Sequence, residues 1–163
     1  MASDVQIREM TDQSAGVDKT SGTVRFKSAD NTTVDTNDRI SIPGSGSSLS
    51  YTKQLRFYFN TAPSVDIQNL RAYSDGTNSF GTGVGVNYDT TNAFGANYVT
   101  TLVGTDLFTS NSGSPVDLDT TNAGPHTGTG YKGDFLRMQL TVASTATPGQ
   151  LTAETLTFAY DET

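Results

Sequence analysis

The sequence predicts an all-β protein built as a single β-sandwich, and three observations carry that prediction. Apolar and polar residues alternate in two runs near the C-terminal end, at residues 136–142 and 156–160. This period of two is typical of strands with one buried face. Thr, Ser, Asn and Gly dominate the rest, the mixture of strand and turn formers that short-stranded domains use. No segment repeats apolar residues at helical spacing over about ten positions, so helix is a minor component at most.

The two alternating runs predict a pair of strands at the end of the chain. A turn sequence, ATPG at residues 146–149, lies between them, and the dipeptide Pro-Gly favours turns. We therefore expect the two runs to pair, each with its apolar side chains on the buried face. Those side chains are Leu136, Met138, Leu140 and Val142 in the first run, and Leu156, Phe158 and Tyr160 in the second.

Strand-like segments recur at short intervals along the chain, which favours a sandwich over a propeller or solenoid. They are residues 23–27, 39–42, 53–59, 65–73, 84–88, 98–103, 135–142 and 155–160. The clearest internal one is 53–59, where Leu55, Phe57 and Phe59 are expected to face the core and the intervening residues, Gln54 among them, to face away.

The chain divides into an extended, polar N-terminal arm at residues 1–21, with a short strand around residues 5–7, and a sandwich at 22–163. The sandwich is expected to be of Ig-like, Greek-key or jelly-roll type. A long polar excursion between residues 103 and 135 is uncommon in a compact domain, where such connections often carry contacts. It is interpreted either as an interaction loop or as a surface loop without a role.

Charge and composition exclude several functions. The chain of 163 residues has a net charge of −7 and a pI near 4.4, with its ten Lys and Arg scattered, so nucleic acid is a poor partner. It has no cysteine, which excludes disulfides and thiolate chemistry. No apolar run approaches the roughly 18 residues of a membrane span. The polar start lacks a signal-peptide core, so synthesis in a cytoplasm without cleaved export is expected.

Candidate metal and catalytic residues are few, and the sequence predicts no catalytic, cofactor-binding or metal site. His126 is the one histidine; no nucleophile motif accompanies it, and a surface loop is expected there. Asp30, Asp35 and Asp38 could supply oxygens to calcium but lack the EF-hand order, so tight turns are favoured. A looser set of Asp117, Asp119 and Asn122 is interpreted in the same way.

Carbohydrate and nucleotide chemistry are also weakly supported. The acids Asp66, Asp75, Asp134 and Glu154 show no spacing that selects a glycosidase pair. There is no tryptophan, although exposed aromatic residues could form a sugar platform; they are Tyr73, Phe80, Phe94 and Tyr98. The glycine-rich stretch GTGVG at residues 81–85 opens no helix, and a nucleotide site is rejected.

Several segments resemble small all-β virion structural proteins of tailed bacteriophages. They are GTVRFKSAD (22–30), SYTKQLRF (50–57) and IQNLRAYSDG (67–76), and residues 147–162 are similar to the last two strands of Ig-like sandwiches. The resemblance implies a capsid decoration or cement protein that binds the outside of a phage head and stabilises it. It further implies the major capsid protein as partner, a homo-oligomer with a trimer favoured, location in the virion, and contacts through residues 1–21 and 104–133. The alternatives are a tail, neck or fibre-associated sandwich, a carbohydrate-binding module, and a β-sandwich hydrolase.

Overall fold

The structure, a computed structural model, describes residues 3–12 and 15–163. Across these residues the chain forms ten strands and one short 3-10 helix, so the all-β prediction is confirmed. The strands are β1 Val5–Met10, β2 Val17–Asp18, β3 Ser47–Leu49, β4 Lys53–Phe59, β5 Ile67–Tyr73, β6 Val84–Thr91, β7 Thr105–Asp106, β8 Val116–Asp117, β9 Gly130–Ala143 and β10 Thr157–Glu162, with the 3-10 helix at Leu107–Thr109.

Two antiparallel sheets pack face to face and form a β-sandwich. The larger has seven strands in the order β2-β1-β4-β9-β6-β7, with β3 paired to the end of β9. The smaller has three strands in the order β10-β5-β8. Phe57 of the large sheet meets Phe158 of the small sheet edge-on, with ring centroids 5.5 Å apart. Three strands cover only part of the large inner face, and non-strand segments cover the rest.

The predicted strand at residues 53–59 is confirmed as β4, and so is the direction of its apolar residues. Leu55, Phe57 and Phe59 are all buried in the core between the sheets. Gln54, expected to face away from the core, is nevertheless fully buried. Its Nε2 donates to the carbonyl of Gly95 at 2.6 Å and to Oδ1 of Asn97 at 2.7 Å. The outer face of this strand is therefore covered by the loop around residues 95–97.

The predicted hairpin at the end of the chain is wrong. The first run lies in β9 of the large sheet, whereas the second lies in β10, which pairs with β5 in the small sheet. The alternation itself is present, since Leu136, Met138 and Leu140 are buried. Alternating apolar and polar residues are expected both when two strands pair within one sheet and when they face each other across the core from different sheets. Here residues 144–156 carry the chain from one sheet to the other.

Part of the predicted N-terminal arm belongs to the large sheet. The strand expected at residues 5–7 is present as β1, which pairs with β4 along its whole length. Ile7 stands opposite Phe57 in this register and is buried. Residues 1, 2, 13 and 14 of the arm lie outside the described residues.

Three predicted strands, at residues 23–27, 39–42 and 98–103, do not form. In the last of them, side chains take the main-chain donors that a neighbouring strand would have paired. Tyr98 N donates to Oγ1 of Thr52 at 3.1 Å, and Leu102 N donates to Oε1 of Gln139 at 2.7 Å. The first two segments lie against the core through part-buried apolar residues, namely Val24, Phe26, Ile40 and Ile42. Their burial follows the predicted pattern although they join no sheet.

Candidate functional site

The acidic segment 28–38, considered for calcium, folds around the ammonium group of Lys27. Lys27 is almost fully buried, and its Nζ donates to Oδ1 of Asp35 at 2.7 Å and lies 3.9 Å from Oδ2 of Asp38. This hydrogen bond from Lys27 is the main cause that holds the pKa of Asp35 below its usual value. Asp30 turns elsewhere and accepts from Nδ2 of Asn97 at 2.7 Å. The ammonium group of Lys27 thus occupies the position that a metal ion bound between Asp35 and Asp38 would take.

Three other acidic candidates, one considered for a metal ion and two for glycoside hydrolysis, accept main-chain hydrogen bonds. Asp117 accepts from the main-chain N–H of Asp119 at 2.8 Å, as expected of a turn. Of the acids considered for glycoside hydrolysis, Asp75 accepts from the N–H of Thr77 in a turn, whereas Glu154 accepts from the N–H of Ser79, which is distant in sequence. Within residues 3–12 and 15–163, no group of three or more His, Asp or Glu could hold a metal ion.

A second ionic cluster is buried at the end of the inner face of the large sheet. Lys53 of β4 and Glu9 of β1 are both fully buried, and Nζ donates to Oε1 at 2.8 Å. Nζ of Lys53 also donates to the carbonyl of Asn31 at 2.6 Å. The other oxygen of Glu9 has no hydrogen bond but lies 3.4 Å from Nζ of Lys19. A buried pair of this kind is costly to break, since the remaining charge would lack a partner.

His126 is buried, so its predicted place on a surface loop is wrong. It is 8% exposed, and its Nε2 lies 2.6 Å from Oδ1 of Asp119. Its main chain exchanges two hydrogen bonds with Ile67 of β5, and its ring meets that of Phe59 edge-on at 6.3 Å. These contacts tie the long excursion to the core, and they give the histidine a structural role.

Asp134, a buried residue in the first half of β9, organises the same excursion. One oxygen accepts from Oγ1 of Thr120 at 2.7 Å and from the N–H of Thr121 at 2.9 Å. The other accepts from the main chain and the side chain of Asn122. Burial disfavours the carboxylate, but these hydrogen bonds together outweigh it and hold the pKa of Asp134 below its usual value.

The excursion at residues 104–133 is therefore a loop held in place by hydrogen bonds to the core, and it is here called the long loop. Asp106 caps its short helix by accepting from the N–H of Phe108 at 3.0 Å. Val116, Leu118 and His126 anchor it in the core. On either side of these anchors, residues 111–115 and 127–129 are exposed. The long loop thus has two exposed polar tips, residues 111–115 and 127–129, next to residues that are anchored in the core.

The four aromatic residues considered for sugar binding do not share a platform. Phe80 packs against Phe108 within the core cluster, with ring centroids 5.8 Å apart. Phe94 instead meets Phe135 at 6.0 Å, and Tyr98 lies beneath the guanidinium of Arg137 at 5.4 Å. Phe135 and Arg137 alternate in β9 with the core-facing residues, so these two aromatic contacts lie on the opposite side of the large sheet. Tyr73 is half-buried at the end of β5.

The glycine-rich stretch at residues 81–85 has a packing explanation. Gly83 has a φ of +78°, and a Cβ built there would lie 2.7 Å from the main-chain nitrogen of Ala146. Its carbonyl accepts from the N–H of Ala143 at 2.7 Å. The stretch thus brings the start of β6 against the end of β9, which only glycine allows at this distance.

A concave space of about 1230 Å³, here called the interior cavity, lies along the non-strand segments that cover the large sheet. The side nearest the large sheet, here its floor, is bordered by Ile7, Leu55, Val86, Met138 and Leu140, which are at most 8% exposed and present little surface to it. Its roof is formed by residues 20–26, 36–42 and 146–156 together with β10. Roof and floor are mainly apolar, which is the usual character of a ligand site. Nothing in the sequence pattern predicted this space, because the roof residues have the same apolar periodicity as packed strands.

The volume of the interior cavity distinguishes it from a packing defect. At about 24 cal/mol per Å³ of residual cavity, a dry void of about 1230 Å³ would cost roughly 30 kcal/mol. That exceeds the total stability of about 5–15 kcal/mol typical of a folded domain. The space is therefore open to solvent, and its surface belongs mainly to the roof segments, since the floor residues are at most 8% exposed.

One lip of the interior cavity is cationic. Arg39 lines both this cavity and a shallow surface depression of about 470 Å³, which places the residue where the two meet. Its Nε donates to the carbonyl of Thr36 at 2.9 Å. Arg25 is a further lining residue, half-buried, and has no hydrogen bond or ion pair with any described residue. Asp38, on the same lip, has its own partner in Lys27.

The comparisons with known proteins return no family. No protein-family profile, no curated protein and no solved structure matches the chain. None of the described helical residues makes a segment long and apolar enough to cross a membrane.

Proposed function

We propose that this chain is a structural protein of a virion, most specifically a decoration protein that binds the outer surface of a phage head through its major capsid protein. The observation that supports the proposal is the long loop. It offers exposed polar tips, residues 111–115 and 127–129, on a frame fixed by His126 and Asp134. A binding surface that is ordered before contact loses less conformational entropy when it binds.

The proposal places many copies on one lattice, as a homo-oligomer with trimeric symmetry. A closed symmetric oligomer matches a three-fold position on a shell, and several weak contacts held together bind far more tightly than one. The acidic composition, with a net charge of −7, keeps such a chain apart from nucleic acid. No catalytic step enters the proposal.

The N-terminal arm is unsuited to a deletion test. Removing residues 1–21 would remove β1 from the large sheet and leave Lys53 buried without Glu9. Loss of binding after that deletion would then report unfolding and not docking.

A point substitution on the long loop tests the proposal directly. Ser112 lies at an exposed tip, and Ser45 is exposed in a turn elsewhere on the chain. We expect Ser112→Arg to weaken co-sedimentation of the purified protein with head shells about tenfold, because interface residues of this kind tolerate bulk and charge poorly. Ser45→Arg is the matched control and should bind as the unsubstituted protein does. Equal binding by both variants and the unsubstituted protein would contradict docking through this loop.

A further inference from the structure

The outer face of the large sheet has two arginines that stand directly opposite each other. Arg8 of β1 and Arg56 of β4 are partners in the antiparallel register. Each alternates with buried residues of its strand, so both lie on the face that points away from the core. Like charges directly opposite each other in paired strands are destabilising. Both side chains are half-buried, so water screens this repulsion only in part.

No carboxylate of this chain pairs with either guanidinium group. Among the described residues, no Asp or Glu oxygen lies within 4.0 Å of Arg8 or Arg56, and the four other residues of the chain have no carboxylate side chain. Arg8 donates from Nε and Nη2 to Oε1 of Gln6, at 3.1 and 2.9 Å. Arg56 donates from Nε to the carbonyl of Lys132 at 3.3 Å. These acceptors are neutral, so both positive charges stay uncompensated at short range.

The acidic residues near the two arginines are bonded to other groups. Asp18 of β2 stands opposite Arg8 in the register, but its Oδ1 accepts from the main chain and the hydroxyl of Thr20, at 2.9 and 2.6 Å. Asp134 acts on Arg56 only through its charge, since both its oxygens accept hydrogen bonds from the long loop. Burial lowers the pKa of Arg56, and the charge of Asp134 does not offset this effect. An anion from outside the chain would stabilise both guanidinium groups.

Two tyrosines lie between the arginines and hold the group in place. Tyr58 of β4 and Tyr131 of β9 are register partners whose rings meet edge-on, with centroids 4.9 Å apart. The guanidinium carbon of Arg8 lies 3.6 Å from the ring centre of Tyr58, and that of Arg56 lies 6.0 Å from the ring centre of Tyr131. The hydroxyl of Tyr131 donates to the carbonyl of Ala15. Arg and Tyr are enriched among the residues that dominate protein interfaces, and groups ordered before contact lose less entropy on binding.

The same contacts favour an acidic peptide over a sugar or a nucleic acid. The guanidinium of Arg8 covers one face of Tyr58, so this ring has little free surface on which a sugar could stack. A net charge of −7 opposes nucleic acid. Glutamate and aspartate side chains have carboxylates on flexible stems, which can reach two separate guanidinium groups. Each carboxylate can accept from two N–H groups of one guanidinium.

We propose that the outer face of the large sheet binds an acidic segment of a partner protein, whose carboxylates pair with Arg8 and Arg56. This inference does not depend on the proposed role in a virion, since it rests on the charges of this face alone. Its test uses neither head shells nor the long loop, so its failure and the failure of the proposed function are distinguishable.

Titration of a fluorescein-labelled octaglutamate peptide with the purified protein, followed by fluorescence anisotropy at low salt, tests the proposal. We expect saturable binding of one peptide per chain, weakened about tenfold or more at physiological salt because salt screens exposed charges. An unlabelled octamer of galacturonate has as many carboxylates on rigid sugar rings, and it should compete about tenfold more weakly than unlabelled octaglutamate, since fewer of its carboxylates can align with a guanidinium. Absence of octaglutamate binding, or equal competition by the two octamers, would overturn the proposal.

Two double variants locate the site. Arg8→Gln, Arg56→Gln should weaken octaglutamate binding about tenfold or more, because the charge-assisted hydrogen bonds are lost. Arg25→Gln, Arg39→Gln is the matched control, since it changes the net charge equally and also removes two arginines that have no carboxylate partner. The control should bind as the unsubstituted protein does. Equal weakening in both double variants would show general charge attraction and overturn the proposal.

The location is also tested without substitution. In the nuclear magnetic resonance spectrum of the unsubstituted protein, octaglutamate should shift the Nε–H signals of Arg8 and Arg56. The Nε–H signal of Arg137 should stay in place, because that group already donates to Asp89 at 2.8 Å. Shifts that leave Arg8 and Arg56 unchanged would place the peptide elsewhere and overturn the proposal.

Discussion

Removal of the ammonium group of Lys53 should be among the most destabilising single changes in this protein. The side chains of Lys53 and Glu9 are both fully buried, and their charged atoms lie 2.8 Å apart. Lys53→Met leaves the carboxylate of Glu9 buried with only Lys19, at 3.4 Å, as a counter-charge. Loss of one partner of a buried pair costs about 3–5 kcal/mol. Loss of the bond to the carbonyl of Asn31 adds about 1 kcal/mol.

A double-mutant cycle separates the pair from its surroundings. In the Glu9→Leu, Lys53→Met double variant both charges are gone, and apolar replacement of a buried pair is often close to neutral. We therefore expect the double variant to be less destabilised than the sum of the single variants by at least about 2 kcal/mol. The assay is equilibrium unfolding in urea at pH 7, read from midpoints at a constant slope with denaturant.

Arg71 and Asp161 provide the matched control for this prediction. Their charged atoms are also 2.8 Å apart, but the side chains are 31% and 45% exposed. Arg71→Met should cost no more than about 1 kcal/mol, as exposed pairs do. A loss in Lys53→Met no greater than in Arg71→Met would refute the argument from burial.

Two further substitutions test the frame of the long loop. Because hydrogen bonds hold the pKa of Asp134 low in the folded state, its contribution to stability is present above the unfolded pKa near 3.9 and lost as the pH falls through the folded value. Asp134→Asn should therefore cost about 1–3 kcal/mol at pH 7 and progressively less towards pH 2.5, measured by urea unfolding at each pH; a cost independent of pH would contradict this. Gly133→Ala should cost about 2 kcal/mol or more, since φ is +67° and a Cβ would lie 2.6 Å from the carbonyl oxygen of Leu118. Gly128→Ala, with φ +73° and no atom within 4 Å of the added Cβ, should cost only about 1 kcal/mol, and an equal loss in both variants would show that no close contact exists at Gly133.

The sequence pattern predicts strands well where burial and main-chain pairing coincide. Residues 53–59 alternate and also lie in the middle of a sheet, so pattern and strand agree. At residues 23–27 the pattern predicts burial correctly, but the segment has no strand beside it. Alternation reports which side chains are buried and says nothing of the neighbour that accepts the hydrogen bonds. The misplaced pairing of β9 with β10 has the same cause.

The burial of Glu9 and Lys53 could have been predicted in part from their positions in the alternating pattern of their strands. Glu9 follows Val5 and Ile7 at a spacing of two, so it points to the same face of its strand. Lys53 precedes Leu55 and Phe57 at the same spacing. Charged residues are seldom fully buried unless paired, and the partner comes from a different strand. The pairing thus depends on strand register, which the sequence pattern does not contain.

The interior cavity lies beyond sequence-based prediction for a related reason. Val24 and Ile40 have the residue types of a packed core, and they contact it. How much of the large sheet such non-strand segments must cover depends on how far the small sheet extends. Three strands facing seven leave room that no local pattern reveals.

Quantitative mass spectrometry of purified virions, from a lysate in which this chain is made, tests the central proposal most directly. The molar ratio of this chain to the major capsid protein would be measured with isotope-labelled peptides of both. Decoration of a head predicts on the order of hundreds of copies per particle, since a symmetric lattice repeats the same site. A handful of copies would place the chain at the neck or tail and contradict decoration, and its complete absence would contradict a virion role altogether.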